Sequence, residues 1–355
     1  MRENGNSGKV IVFTGGGSAG HVVPSLALIK ELQNFHGVEI CYFGSNGKEK
    51  ELVAPLNIPY REIDCPKLIR GKNIQTFFKN LCIPFRLPRA VRQAKKHLKA
   101  VRPCVVFSKG GYVALPVVLA AKKLKIPSYT HESDFSLGLA NKLIANRCLE
   151  VFTSFPETAQ AIKNGTFTGA PIRRELFEYD KIAAKVRFGF PLRKKVILVL
   201  GGGSGSTAIN EGIRNALPRL EQYSILHLCG KGNVAPSTQK DYRQIEYLPT
   251  IGEAYAAADI VVSRAGAGAV FEIMALKKPS ILIPLESQTR GDQLENAAYF
   301  FKRGLCKILP QSSLDELPNL IEETLSDNEL KERLQRSKFT CGNEKILDKL
   351  KAALL

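Results

Sequence analysis

The sequence predicts an α/β protein with two Rossmann-like domains, whose parallel sheets face each other across a cleft. Two near-identical segments lead to this prediction, KVIVFTGGGS at 9–18 and KVILVLGGGS at 195–204. Each is a short apolar, β-branched run that ends in three glycines, which is typical of a buried parallel strand followed by a phosphate-facing turn. The repetition of this unit favours two domains over a single dinucleotide-binding domain.

The order of elements supports a parallel sheet in each half of the chain, because strand patterns alternate with helix patterns. The alternation breaks near 169–187, so we predict a first domain at 1–170 and a second at 171–339. The Lys- and Leu-rich segment 340–355 can pack back onto the first domain. The predicted strands are 9–14, 38–43, 103–108, 126–130, 150–153, 195–200, 223–229, 259–263 and 279–283. The predicted helices are 22–35, 113–124, 207–216, 267–276 and 292–302.

Composition places the chain among globular proteins. Its 355 residues are 44% apolar and 24% charged, enough for two full cores. The polar N-terminus predicts no secretory signal, and the apolar runs are too short to span a bilayer. The eight cysteines form no CxxC pair, which favours reduced thiols over disulfides or zinc. The sequence contains no Asp-x-Asp, so a metal-bridged sugar nucleotide site is not supported. We also expect no cofactor.

The net charge of +18 is concentrated in the first half. Residues 1–170 hold 24 Lys and Arg against 11 Asp and Glu, and no acidic residue occurs between Asp64 and Glu132. Such a one-signed field attracts nucleic acid or an anionic membrane, and no nucleic-acid-reading module is visible. The alternating basic and apolar residues favour a surface on anionic phospholipid, with a solvated helix as the alternative. The apolar residues expected to insert are Phe77, Phe78, Ile83 and Phe85.

The first glycine loop formally matches the dinucleotide fingerprint GxGxxG at 15–20. That fingerprint requires a carboxylate at the end of the second strand to bind the ribose. Strand 39–43 ends in Gly-Ser-Asn, and the nearest acids, Glu49 and Glu51, lie beyond it. A nicotinamide-dependent oxidoreductase is therefore not favoured.

Two histidines follow predicted strands. His21 comes directly after the first glycine loop and opens a helix, where an imidazole can serve as a general base. A capping or packing role is the alternative. His131 lies in Thr-His-Glu-Ser-Asp at 130–134, a second loop that we expect to face the cleft.

The segment 258–293 has the pattern of a nucleotide site. Strand 259–263 ends in a Ser-Arg-Ala-Gly-Ala-Gly turn, and the following helix N-terminus suits a diphosphate. Glu272, about two turns into that helix, can bind a vicinal ribose diol. Polar groups of Arg-Gly-Asp-Gln at 290–293 can bind sugar hydroxyls. Because these groups follow successive strands, we predict one binding face.

Seven motifs occur along the chain in a fixed order: GGGSAGHVVPSLAL (15–28), SKGGYVALPVVLAAK (108–122), HESD with LANK (131–142), GAPIRREL (169–176), GGGSGSTAIN (201–210), ADIVVSRAGAGAVFE (258–272) and RGDQLENA (290–297). In these motifs the chain resembles the MurG family, bacterial enzymes that add N-acetylglucosamine to undecaprenyl-pyrophosphoryl-N-acetylmuramoyl-pentapeptide (lipid I) in peptidoglycan synthesis. The resemblance implies a GT-B fold, UDP-N-acetylglucosamine bound mainly by the second domain, and lipid I bound by the first. It also implies inverting β-1,4 transfer to the 4-hydroxyl of the muramoyl sugar, without a metal, by a peripheral protein at the cytoplasmic face of the membrane. Other cell-wall synthesis proteins are candidate partners.

The resemblance also implies roles for individual residues. The implied catalytic residues are His21 and Glu132. The implied acceptor-binding residues are Gly15, Gly16, Gly17, Gly110, Gly111 and Tyr112. The implied donor-binding residues are Ser18, Gly20, Asp134, Arg173, Gly203, Ser204, Leu248, Ser263, Arg264, Ala265, Gly266, Ala267, Gly268, Glu272, Asp292 and Gln293.

Three other functions remain open at this point. A glycosyltransferase of similar fold that acts on diacylglycerol would use the same basic, apolar surface. A UDP-N-acetylglucosamine 2-epimerase also has two Rossmann-like domains but needs no lipid surface. A non-catalytic lipid- or nucleic-acid-binding protein is the third alternative, although a binder has no need for two opposed phosphate sites.

Overall fold

A computed structural model describes residues 9–68, 80–286 and 291–354 of the chain. The chain divides into two compact units. The first unit extends to Ile172 and includes the C-terminal segment from Cys341, and the second comprises Arg173–Thr340. Each unit has its own parallel sheet, which confirms the predicted α/β fold with two Rossmann-like domains.

The sheet of the first unit has seven strands in the order β3-β2-β1-β4-β5-β6-β7, and every strand pair is parallel. The central strands are nearly continuous apolar runs because helices cover both faces of the sheet. The strands are β1 Lys9–Thr14, β2 Val38–Gly44, β3 Tyr60–Glu62, β4 Val105–Ser108, β5 Ser128–Glu132, β6 Glu150–Thr153 and β7 Gly165–Phe167.

Helices pack on both faces of this sheet. One face is covered by α3 and α4, through residues such as Leu98 and Val117. The other is covered by α1 and the C-terminal α14, whose Ile346 and Leu350 are fully buried. The helices of this unit are α1 Val23–Leu32, α2 Lys48–Val53, α3 Ile83–Val101, α4 Ala114–Lys123, α5 Leu139–Ile144, α6 Pro156–Gln160 and α14 Asn343–Ala352.

The C-terminal segment is also bonded to the first unit through Asn343. Its side-chain amide accepts from Ile172 N at 2.8 Å and donates to Ile172 O at 2.8 Å. The chain thus returns from the second unit and completes the core of the first.

The second unit has a six-stranded parallel sheet in the order β10-β9-β8-β11-β12-β13. Strand β8 is buried along its whole length and pairs with β9 and β11. The strands are β8 Val196–Leu200, β9 Ser224–Leu228, β10 Tyr242–Ile245, β11 Ile260–Ser263, β12 Ser280–Leu282 and β13 Lys307–Ile308. The helices are α7 Lys181–Arg187, α8 Thr207–Ala216, α9 Gly252–Ala257, α10 Ala267–Ala275, α11 Asp292–Phe301, α12 Leu317–Ser326 and α13 Asn328–Arg336.

The structure adds elements that the sequence pattern did not predict. Strands β3, β7, β10 and β13 are two to four residues long and lie outside the centre of their sheets. Their sequences, such as YRE in β3, lack the apolar run that marks a buried strand. Helix α3 lies in the stretch between Asp64 and Glu132 that has no acidic residue. Its first turn contains Pro84, at a position where the N–H that proline lacks would have no partner within the helix.

Candidate active site

The loop after β1 carries His21, the predicted base. A 3₁₀ turn, Ala19–His21, leads into α1, and Ser18 Oγ lies 2.9 Å from His21 Nδ1. The imidazole is partly exposed, and Gly20 beside it is exposed. In the tautomer in which Nδ1–H donates to Ser18 Oγ, the Nε2 lone pair can accept a proton. The loop can therefore hold His21 in the orientation of a general base.

The glycine loops after β1 and β4 are in direct contact. Gly111 has φ +81°, and a Cβ added there would collide with Gly16 O. Gly17 has φ +92°, and its Cβ position lies 3.0 Å from Tyr112 Cε1. A side chain at either position would separate the two loops. The structure brings together all of the predicted acceptor-binding residues, Gly15, Gly16, Gly17, Gly110, Gly111 and Tyr112.

Glu132, predicted to be catalytic, is 4% exposed at the end of β5. Its Oε1 accepts from Asp134 N at 3.0 Å, and its Oε2 accepts from Gly138 N at 2.8 Å and Asn141 Nδ2 at 2.9 Å. These bonds order the loop that follows β5 and explain why HESD and LANK occur together in the sequence. The catalytic role of Glu132 stays a prediction.

His131, in the loop segment that was expected to face the cleft, has a fully buried side chain. Its Nε2 lies 3.0 Å from Gly169 O, so this nitrogen carries the proton and donates. Burial lowers the pKa of His131 well below its usual value, and the neighbouring Lys109 ammonium lowers it further. His131 is a neutral side chain of the core, which leaves His21 as the partly exposed histidine of these two.

The glycine loop of the second unit is open and lies beside a cation. Residues 202–204 are exposed, and Ser206 caps α8. The Arg264 guanidinium donates through Nη2 to Ser206 Oγ at 2.6 Å and to Gln311 Oε1 at 2.6 Å. These bonds fix a positive charge beside the exposed residues of the glycine loop, as an anion site requires.

The turn from β11 into α10 leaves room for a ligand. Ser263 is buried at the strand end, whereas a Cβ added to Gly266 or Gly268 would meet no atom within 4 Å. Asn296 is fully buried and donates to Ala265 O at 3.3 Å, which holds the turn against α11. The predicted diphosphate turn is therefore held in place at Ala265, and it has open space beside Gly266 and Gly268.

Glu272 is 8% exposed and already paired. Its Oε1 accepts from Arg173 Nε at 3.0 Å and Nη2 at 2.7 Å, and its Oε2 accepts from Tyr255 Oη at 3.3 Å. Burial raises the pKa of the Glu272 carboxyl, against the lowering effect of Arg173 and the Tyr255 hydroxyl. Two predicted donor-binding residues thus bind each other, and a ribose diol would share the carboxylate with Arg173.

The other predicted donor residues of the second unit include Leu248, Asp292 and Gln293, whereas Ser18, Gly20 and Asp134 lie in the first unit. Gln293 Oε1 accepts from Leu285 N at 3.0 Å, and Asp292 is the first residue of α11. Leu248 is partly buried in the segment after β10. Arg290, part of the same sequence motif, lies outside the described residues.

Comparison with known proteins identifies the family. The sequence matches the glycosyltransferase family 28 N-terminal domain over residues 11–153 and the family 28 C-terminal domain over residues 196–350. The chain is 48% identical over 314 residues to a UDP-N-acetylglucosamine–N-acetylmuramyl-(pentapeptide) pyrophosphoryl-undecaprenol N-acetylglucosamine transferase of Lachnoclostridium phytofermentans, covering 86% of this chain and 87% of that protein. A transferase of the same name from Clostridium perfringens is 42% identical over 96% of this chain and 97% of its own length.

The chain belongs to the MurG family of glycosyltransferases. The crystal structure of Acinetobacter baumannii MurG matches with a TM-score of 0.73 at 25% identity, covering 97% of this chain and 99% of that one. A UDP-GlcNAc 2-epimerase from Neisseria meningitidis matches with a TM-score of 0.66 over 97% of this chain and 99% of its own, at 15% identity, which shows a shared fold only.

Sequence reasoning missed Lys109, a charged residue of this MurG-family chain. It is 1% exposed at the end of β4, and its Nζ donates to Ser133 Oγ at 2.6 Å. Burial lowers the pKa of Lys109 to about 8, although Glu132 and Asp134 raise it. Its position directly before Gly110 was the signal available in the sequence.

Sequence reasoning also missed Glu49, which it considered only as a ribose ligand. The residue is 1% exposed, and its Oε2 accepts from Gly17 N at 3.3 Å.

Within residues 9–68, 80–286 and 291–354, no group of three His, Cys, Asp or Glu side chains could hold a metal ion.

Proposed function

We propose that this enzyme transfers N-acetylglucosamine from UDP-N-acetylglucosamine to lipid I, giving lipid II in peptidoglycan synthesis. The observation that carries the proposal is the 42–48% identity, over most of the chain, to transferases named for this reaction. The geometry is compatible with it, because the carboxyl edge of one sheet carries a candidate base and that of the other carries a candidate diphosphate site.

In the proposed reaction, the 4-hydroxyl of the muramoyl sugar attacks the anomeric carbon of N-acetylglucosamine. The bond from that carbon to the UDP oxygen breaks, and UDP leaves with the electron pair. His21 Nε2 takes the hydroxyl proton, while Ser18 fixes the ring through Nδ1. A single displacement of this kind inverts the anomeric configuration.

The second unit is proposed to bind the donor. As UDP departs it gains negative charge, which the Arg264 guanidinium and the N-terminus of α10 can stabilise. Glu272 is proposed to bind the ribose diol while Arg173 balances its charge. Gly266 and Gly268 leave space for the phosphates.

The test is transfer from radiolabelled UDP-N-acetylglucosamine to candidate acceptors. Lipid I should become labelled, whereas diacylglycerol should not. Label transfer to diacylglycerol alone would contradict the proposal in favour of the lipid glycosyltransferase. Formation of UDP-N-acetylmannosamine without an acceptor would contradict it in favour of an epimerase.

We also propose that the first unit binds anionic phospholipid at the cytoplasmic face of the membrane. Helix α3 contains six Lys or Arg and no acidic residue. Leu81 and Phe85, at its N-terminal end, are 53% and 75% exposed. Between α3 and α4 lies a groove of about 450 Å³ that is lined by apolar and basic residues. The apolar residues are Leu87, Pro88, Val91 and Leu119, and the basic residues are Arg92, Lys95 and Lys123.

This surface suits a lipid interface because rings and aliphatic chains can insert while cations contact phosphates. Phe77 and Phe78, also predicted to insert, lie outside the described residues. No helix in the described part of the chain is long and apolar enough to cross a membrane.

Vesicle binding tests the membrane proposal. Binding should increase with anionic lipid and decrease with salt, since screening acts over about 8–10 Å. Phe85→Ser should weaken vesicle binding further, whereas Phe177→Ser, at an aromatic residue of the second unit that is 58% exposed, should not. Equal binding to neutral and anionic vesicles would contradict the proposed electrostatic attraction. Vesicle binding by Phe85→Ser that equals that of the wild type would contradict the proposed insertion of the phenylalanine ring.

A further inference from the structure

Glu49 is a buried residue whose carboxylate contacts the glycine loop after β1. It lies in the first turn of α2, 32 residues after Gly17, and is 1% exposed. Its Oε2 accepts from Gly17 N at 3.3 Å, and its Oε1 accepts from Ser45 N at 3.0 Å. Ser45 Oγ donates to the same Oε1. A Cβ added to Gly16 would collide with this carboxylate.

The groups that hydrogen-bond to Glu49 are uncharged. They are two backbone amides and one hydroxyl, so no ionic partner among them offsets the cost of removing the carboxylate from water. Burial raises the pKa of the neighbouring Tyr42, Tyr60 and Tyr112, and the negative charge of Glu49 raises each of them further. A buried charge in such surroundings needs good hydrogen bonds to persist, and those bonds here reach the loop of the candidate site.

The same network extends to the second glycine loop of this unit. Ser45 Oγ lies 2.7 Å from Tyr112 Oη, and since this hydroxyl donates to Glu49, the tyrosine donates to it. Tyr60 Oη donates to Ser45 O at 2.6 Å and holds this residue from the other side. The chain of bonds therefore runs from Gly17 through Glu49 and Ser45 to Tyr112.

We infer that Glu49 is a positioning residue, which fixes the glycine loop after β1 against the glycine loop after β4. It does so by accepting the Gly17 amide proton with one oxygen and orienting Ser45, and thereby Tyr112, with the other. The inference rests on the proposed function and on the predicted role of both loops in binding lipid I.

The hydrogen bond to Glu49 also affects whether the first glycine loop can bind an anion. The Gly17 N–H already donates to a carboxylate, so this amide is not available to a phosphate oxygen. A phosphate drawn to that amide would also meet the charge of Glu49. Lipid I is therefore positioned by the arrangement of the two loops, with Gly17 N serving the protein itself.

The experiment measures kcat and KM for each substrate in Glu49→Ala, Glu49→Gln and Glu51→Ala. Glu51 lies on the same short helix but is exposed, so Glu51→Ala is the matched control and should behave as the wild type. Glu49→Ala should raise KM for lipid I by about tenfold, since Gly17 N and Ser45 lose a charged acceptor. KM for UDP-N-acetylglucosamine should change less than about twofold in the same variant.

Glu49→Gln separates shape from charge. Glutamine has nearly the same shape, but its amide nitrogen would face an N–H or O–H donor, so the rise in KM for lipid I should be smaller than in Glu49→Ala. If Glu49→Ala fails to fold, Glu49→Gln and Ser45→Ala provide the same measurement. Ser45→Ala should also raise KM for lipid I, because it disconnects Tyr112.

The outcomes are distinct. A wild-type enzyme that does not label lipid I contradicts the proposed function. A wild type that does, with Glu49 variants that change both KM values equally or change only the amount of folded protein, overturns the positioning role of Glu49.

Discussion

The two glycine loops have almost the same sequence, but opposite charges lie beside them. In the first unit, Gly17 N donates to the Glu49 carboxylate at 3.3 Å. In the second, the Arg264 guanidinium bonds to Ser206, three residues after the exposed Gly203. A glycine motif therefore predicts a tight turn with free N–H groups, whereas a side chain from elsewhere decides whether an anion can bind there.

The cations of the two units also differ in kind. Arg264 is partly exposed and remains charged at any accessible pH. Lys109 is buried under the loops of the first unit, and burial lowers its pKa to about 8. The candidate anion site of the second unit thus contains an arginine that stays charged, whereas the first unit contains a buried lysine that can titrate.

The largest expected effect separates chemistry from donor binding. His21→Ala should lower kcat by about 10²–10⁴-fold, because the acceptor hydroxyl loses its positioned base. Donor affinity, attributed to the second unit, should change little. Single-turnover kinetics and calorimetry with UDP-N-acetylglucosamine measure the two quantities, and His36→Ala, at an exposed histidine of the same unit, is the control. A turnover within a few-fold of wild type would assign the proton to another group.

The next effect tests the ribose contact of the second unit. Glu272→Ala should weaken donor binding by roughly 1.5–3 kcal/mol, because the diol loses a charge-assisted hydrogen bond. The variant also leaves Arg173 without its carboxylate, so thermal unfolding must be followed in parallel. Near-normal affinity in a folded variant would remove Glu272 from the donor site. Glu332→Ala, at an exposed carboxylate of the same unit, should leave both quantities unchanged.

A somewhat smaller effect tests the cation that distinguishes the second loop. Arg264→Met should weaken UDP binding by about tenfold, since the diphosphate loses one charged donor while the backbone N–H groups remain. Lys302→Met removes the same charge from an exposed position of this unit. If both variants lose affinity equally, the overall field attracts the donor and the comparison of the loops is wrong.

The smallest effect concerns the titratable cation of the first unit. The folded pKa of Lys109, about 8, lies below the ordinary 10.5, so the unfolded chain binds more protons between these values. Stability must then rise with pH in this window, by about 1 kcal/mol between pH 7 and 9. Urea unfolding of the wild type and of Lys109→Met at pH 7 and 9 measures this change. The contribution of Lys109 is the difference between the two proteins in how their free energy of unfolding changes with pH. A difference that is independent of pH would contradict the lowered pKa.

The sequence predicted the central strands and five of the helices because their signals are local, but the 19-residue helix α3 was not among the predicted helices. Helix 207–216 was predicted with the bounds that the structure gives, since its amphipathic pattern follows directly on a capping serine. Strand β3 was missed because its three residues, YRE, are partly exposed or exposed at the edge of the sheet. An edge strand is defined by its pairing partner, which a local pattern does not contain.

The candidate site shows the same division. His21 and the glycines were found from their position after a strand, but His131, at a similar position, is buried against Gly169. Glu272 was assigned to a ligand, and the structure shows that it also has a partner in the protein, Arg173. Neither contact could be inferred from spacing, since Arg173 precedes Glu272 by 99 residues.

The sequence by itself determined two parallel sheets, two glycine turns and membership of a glycosyltransferase family, because periodicity and motif order are properties of the chain. Only the tertiary structure decided which charge lies beside each turn. Sheet order places β2, and with it Glu49, next to β1, and it places β11, and with it Arg264, next to β8. Those neighbours lie 32 and 58 residues away from the groups they bond, so the contact arises only when the sheets form.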